Sequence, residues 1–174
     1  TCALPICIKD TLYMTLTSTL IGYVIGLPMG ILLTVTDKDG IHPNTAVYKV
    51  LDVIANLIRS VPFLILLIVL IPFTRFLIGR SYGPTATIVP LVIAAAPYIA
   101  RMVESSLKEV DAGVIEAARS MGASNFTIVT KVMLVEARTS LIVGATISLG
   151  TILGYSAMAG TVGGGEIGRA SCRE

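Results

Sequence analysis

The chain has 174 residues, 54% of them hydrophobic and only 14% charged, with a formal net charge of +2 and a mean hydropathy of +0.85. A soluble domain carries about 25% charged residues, so this composition excludes an ordinary water-soluble globule and points to a polytopic membrane protein. The small net charge, its scatter along the chain and the lack of tryptophan argue against a nucleic-acid partner, which needs a basic patch and stacking surfaces.

After a short, more polar lead over 1–10, residues 11–36 contain no charged side chain. At about 1.5 Å per residue, a helix of that length exceeds the roughly 30 Å of a bilayer core. It reads as a spanning helix over about 11–35, not a signal peptide, because no small-residue cleavage site follows the apolar run. Gly22, Gly26 and Gly30 recur every fourth position and place small residues on one face, as membrane helices do where they pack closely. Pro28 is a potential kink.

Residues 37–59 read as a connection: DKDG and HPN mark turns, and 48–58 carries Val50, Ile54 and Leu57 at helical spacing. The apolar run 60–74 is short for a span, and extending it to about 79 with Arg75 snorkelling to the interface supplies the length. GRSYGP makes a tight connection. A proline-rich apolar run then predicts a third span over 82–102, with Pro84, Pro90 and Pro97 tolerated where neighbouring helices satisfy the freed carbonyls. Arg101 and Glu104 read as the closing charges of that run. Residues 139–165 are again charge-free, and Gly150 and Gly154 give a second small-residue face within a fourth span over about 138–160. The two long connections, 36–59 and 103–138, hold seven Lys or Arg (Lys38, Lys49, Arg59, Lys108, Arg119, Lys131, Arg138) against three (Lys9, Arg75, Arg80) in the lead and the 75–81 connection. The imbalance predicts the long connections inside and the amino terminus outside.

The stretch 104–137 stands apart as the longest charge-bearing, helix-patterned segment between long apolar runs. Asp111 is suited to cap a helix over 112–121, with Leu107, Val110, Val114, Ala117 or Ala118, and Met121 as its apolar stripe. Glu116 and Arg119 are spaced to pair. Gly122 suits the left-handed residue that ends a helix, and Ser124 suits the cap of the next, which is expected to turn Phe126, Val129, Val132 and Met133 inward. The three cysteines, Cys2, Cys7 and Cys172, lack metal-ligand spacing, and His42 reads as a solvated loop residue. No hydrolase, kinase, metalloenzyme or Walker A motif is present.

Glu116-Ala117-Ala118, then Gly122, then Val132 and Leu134, resembles the EAA loop of ABC importer permeases, whose pattern is EAA, three residues, Gly, nine residues, then I-x-L-P. Val132 replaces the isoleucine, and Val135 stands where proline is usual. FLILLIVLIPFTRFLIG, IVPLVIAAAPYIARMVE and LGYSAMAGTVGGG look like the methionine-importer permease family. The resemblance implies an all-α type I ABC importer permease fold, with four spans present and a fifth missing. It also implies a multi-pass subunit of the bacterial inner membrane that works as a homodimer. Its further implied partners are a cytosolic ABC ATPase, which uses ATP and Mg, and a periplasmic or lipid-anchored methionine-binding protein; no cofactor is held by this chain. Glu116, Ala117, Ala118, Gly122, Ala123 and Ser124 are then expected to dock on the ATPase, and Tyr155, Ser156 and Met158 to line the pore, Met158 as a soft apolar gate. The loss of proline at Val135 is expected to let the second helix of the loop run on into the last span.

The closing run, 166–174, is polar and departs from the family; 167–174 is expected to be non-native sequence. A permease for another amino acid is the nearest alternative. A secondary transporter needs ionisable groups at membrane depth, and a membrane enzyme needs a nucleophile, paired carboxylates or metal ligands there; the four apolar runs offer almost none.

Overall fold

The computed structural model describes residues 3–79 and 83–160, residues 3–7 as backbone alone. Cys2, Arg80, the glycine run 163–165 and the closing run 166–174 lie outside the described residues. Among the described residues the secondary structure is entirely helical: α1 (Ala3–Thr36), α2 (Thr45–Ser60), α3 (Phe63–Val69), α4 (Ile71–Ile78), α5 (Pro84–Lys108), α6 (Ala112–Ser120), α7 (Asn125–Thr127), a π-helical turn (Ile128–Met133), α8 (Leu134–Glu136) and α9 (Arg138–Ala159). The all-α architecture read from the sequence is the one observed among the described residues.

The core is built on α5. Its Leu91, Ala95, Ile99, Ala100 and Val103 are essentially solvent-free, and α1 lies along one side of it through the glycine stripe. A Cβ on Gly26 would stand 2.8 Å from the Ile99 side chain and 2.9 Å from the Ala96 carbonyl, and one on Gly30 would stand 2.6 Å from the Ala100 carbonyl. The two backbones approach this closely only because no side chain intervenes. Gly150 and Gly154 of α9 differ: among the described residues, nothing beyond the helix's own neighbouring backbone lies within 4 Å of the Cβ that either would carry. Several hydroxyls of these apolar helices turn back on their own backbone, as Thr19 does to the Thr15 carbonyl and Ser148 to that of Gly144, both at 2.7 Å, which lowers the polarity of the helix face.

The sequence expects one helix over 60–79, but the chain divides it. Val61 is extended (φ −84°, ψ 124°), the conformation imposed by the following Pro62, and α2 and α3 meet at 100°. Pro72 has no N–H to offer the Ile68 carbonyl, so α3 cannot continue through it; α4 starts afresh at Ile71 and ends at Gly79, whose φ of 77° closes the last turn. α1, α5 and α9 are each long and apolar enough to cross a membrane, and the bent α2–α3 pair meets the same measure as a unit. The 36–59 connection is mostly helix α2, which turns Tyr48 and Asp52 toward α5 and leaves Val50, Val53 and Leu57 exposed.

The glycine seat yields a direct test. Gly26→Leu should destabilise the chain by about 1–3 kcal/mol through overpacking, whereas Gly150→Leu, with open space in this chain, should not lower the thermal midpoint of the detergent-solubilised protomer. Equal midpoints for the two variants would refute the close α1–α5 approach.

Candidate functional site: the connecting helices and the ion cluster beneath them

The segment from Asp111 to Glu136 forms the helix–turn–helix that its residues dictate. The Asp111 carboxylate accepts the Gly113 N–H at 2.7 Å, filling one of the open donors at the start of α6. Gly122 has φ +79°, a conformation that costs an L-residue roughly 1–2 kcal/mol, and its N–H reaches back to the Arg119 carbonyl at 3.0 Å. Ser124 then accepts the Thr127 N–H at 3.3 Å and caps α7.

Several expectations about which face turns inward need correction. Ala118 is buried, but Val114 is 41%, Met121 82% and Phe126 79% exposed, so of the stripe expected on α6 Ala118 alone faces inward, with Ile115 half-buried beside it, and Ile128 takes the inward place expected of Phe126. Met121 is exposed as the residue that closes α6, whereas the face of 125–134 is set by the π-helical turn, in which the Leu134 N–H bonds the Val129 carbonyl five residues back. One extra residue in the turn brings Ile128, Val129 and Met133 all inward. Glu116 and Arg119 do not pair; Arg119 donates instead to the Ile41 carbonyl at 3.3 Å, across the linker between α1 and α2. Glu116, Ala117, Gly122 and Ser124 are exposed, while Ala123 is half-buried. Beyond Val135, itself half-exposed, Ala137 alone separates α8 from α9, and its N–H still bonds the Met133 carbonyl at 2.9 Å. The helix runs on with one residue of interruption.

A cleft of about 660 Å³ lies between α6 and that linker, with Gly40, Ile41, Ile115, Glu116 and Arg119 among its walls. Beside it is a feature the sequence reading did not assemble. Glu104, 4% exposed, accepts a 2.7 Å bond from Arg101 and a 2.8 Å bond from Lys108, and the Tyr48 hydroxyl donates to it at 3.4 Å. Arg101 also pairs with Asp52 of α2 and donates to the side-chain amide oxygen Oδ1 of Asn56 at 3.2 Å; Lys108 pairs with Asp37, just past α1, at 2.6 Å. The Lys108 ammonium, bonded to the Asp37 carboxylate, holds that carboxyl below the usual carboxylate range. A carboxylate so deeply buried persists only when paired on several sides. The signal was present in the sequence: Arg101, Glu104 and Lys108 lie three and four apart, on one face of α5.

The residues expected at the pore are dispersed around α9. Tyr155 stacks on Phe63 of α3, with ring centroids 4.8 Å apart and planes 11° from parallel. Ser156 is solvent-free and donates to the Leu153 carbonyl at 2.9 Å. Met158 is 45% exposed.

With this geometry in place, comparison with known proteins is decisive. Residues 22–171 match the profile of the family described as binding-protein-dependent transport system inner membrane component. The chain belongs to this family. The matched range passes residue 166, where the sequence alone sets the closing run apart. Among relatives, the D-methionine transport system permease proteins MetI of Escherichia coli (strain K12) and Salmonella typhimurium (strain LT2) are each 52% identical over 151 residues, covering 87% of this chain and 70% of the relative. A solved structure titled "Inward facing conformations of the MetNI methionine ABC transporter" superposes with a TM-score of 0.95 at 49% identity, over 98% of this chain and 79% of its own. As a binding-protein-dependent transport component, the permease is a transport subunit of the inner membrane and not an enzyme.

In this inner-membrane component, replacing Gly122 should loosen the turn between α6 and α7. Gly122→Val places a β-branched residue at positive φ, and amide exchange over 120–125 should accelerate about ten-fold, in line with the roughly 1–2 kcal/mol left-handed penalty. Unchanged exchange would refute the conformation assigned to the turn.

Proposed function

We propose that this chain is the membrane-spanning subunit of an ATP-driven importer of methionine, forming the translocation pathway and docking a cytosolic ABC ATPase through Glu116, Ala117, Gly122, Ala123 and Ser124, with buried Ala118 seating that helix on the core. The observation that carries the reading is a rigid, doubly capped helix–turn–helix with an exposed tip, in a chain of the binding-protein-dependent transport family. Short capped helices transmit a push where a loop would absorb it, and a glycine at the turn lets a partner's backbone come close. Met121 and Phe126 are large apolar side chains left in the open at that tip, and such side chains commonly anchor protein interfaces.

The remaining partners follow from the same family reading. A second copy of the permease completes the pathway, and the open small-residue face at Gly150 and Gly154 suits close helix contact. A periplasmic or lipid-anchored methionine-binding protein delivers the solute. ATP and its Mg are bound and consumed by the ATPase, which does the chemical work. Tyr155, Ser156 and Met158 are assigned to the pathway lining, where a thioether can form and break an apolar seal. The linker over 37–44 and the 103–138 connection face the cytosol, which narrows the 36–59 connection expected there to the part before the bent α2–α3 pair.

Reconstitution with the ATPase and binding protein in proteoliposomes tests this. Glu116→Lys should reduce methionine uptake at least ten-fold and weaken co-purification of the ATPase, while membrane insertion is retained. Wild-type uptake by that variant would eliminate the docking role. Uptake of another amino acid in preference to methionine would replace the substrate assignment and leave the docking assignment standing.

A further inference from the structure

The contacts beneath α6 form a continuous path. Arg119 of α6 holds the Ile41 carbonyl of the linker, whose Asp37 is paired with Lys108. Lys108 and Arg101 grip the same buried Glu104 from its two oxygens. Arg101 in turn holds Asp52 on α2, and α2 turns through 100° into α3, where Phe63 lies stacked on Tyr155 of α9. Each step is a hydrogen bond, an ion pair, a ring stack or a stretch of helix, so none of it is slack.

We propose that the Glu104 ion cluster is the mechanical link of the transport cycle, locking the linker and α2 to α5 so that a push on α6 moves α2 and the Phe63–Tyr155 stack as one body. Glu104 is thus a positioning residue that touches neither solute nor ATPase. The proposal rests on α6 being the ATPase-docking helix. Its physical basis is that buried, multiply paired charges tolerate few arrangements. A neutral apolar contact would let α2 slide along α5, whereas pulling Asp52 off Arg101 or Asp37 off Lys108 strands a partly buried charge. Coupling between sites requires such a contiguous element with discrete arrangements. The cluster also explains why a helix otherwise built of apolar and small residues carries three charges on one face.

The test uses the full permease with its ATPase and binding protein in proteoliposomes, reading methionine taken up per ATP hydrolysed. Asp37→Asn removes one ion pair near the surface but keeps the side-chain acceptor for the Lys38 N–H. It should leave ATPase co-purification and basal ATP hydrolysis within two-fold of wild type and lower the uptake-to-hydrolysis ratio at least five-fold. Asp37→Glu should restore it. Glu104→Gln should lower the ratio further, about ten-fold or more; if that variant fails to insert, Asp37→Asn and its rescue still decide. A wild-type ratio for Asp37→Asn, or a loss of ATPase association that accounts for its deficit, would overturn the proposal. The two readings fail separately: a silent Glu116→Lys with a lowered ratio in Asp37→Asn removes the docking assignment and keeps the cluster's role, and the converse pair of results does the reverse.

Discussion

The close seating of α1 on α5 is the constraint on which the rest of this structure depends. Gly22, Gly26 and Gly30 leave no side chain between the two helices, and Ile99 and Val103 occupy the space so released. That contact fixes where α1 ends, and hence where Asp37 stands relative to Lys108. Without it the linker to α2 would have no fixed height on α5, and neither Arg119 nor Tyr48 would find the partners it has. An apolar packing rule inside the bundle thus sets the geometry of a polar cluster at its end.

The polar cluster then makes the arrangement specific. Apolar helix faces in lipid attract one another weakly and without strong preference for rotation, since lipid tails are as apolar as Leu. A carboxylate with two cations and a phenol around it has few satisfactory orientations. α2 therefore presents Asp52, Asn56 and Tyr48 to α5 and turns its aliphatic residues away. Its outward Val50, Val53 and Leu57 are the reverse of what a water-soluble helix would show, and they fit a helix with an apolar medium or partner behind it.

Much of this was legible from residues alone. The glycine stripe, the Asp111 and Ser124 caps and the left-handed Gly122 are local signals, each tied to backbone geometry within a turn or two, and each appears where the sequence places it. Failures fell where the outcome depends on a break or on distant partners. The division of 60–79 follows from Pro62 and Pro72, whose effect is visible in the sequence but was outweighed by the need for span length. The inward face of 125–134 was assigned with an α period, and the π-helical turn changes the period, so Phe126 emerged exposed. The Glu104 cluster joins residues 37, 52, 101, 104 and 108 from three elements. The α5 spacing hinted at three of the five, but no local pattern reveals that Asp37 and Asp52 meet the same face.

The π-helical turn has a consequence for motion. It holds about one more residue per turn than an α-helix needs, and it sits between the exposed turn at Gly122 and α9, with the single turn of α8 and Ala137 intervening. Resolving such a bulge into regular α-helix, so that its extra residue joins the ladder, would advance the following helix by about 1.5 Å and turn it by roughly 100° relative to the preceding one. The chain thus carries, at the junction between its wet and its apolar parts, the backbone equivalent of a screw thread. Translation applied at one end can emerge as rotation at the other, and α9, bearing Tyr155 and Met158, is the shaft it would turn.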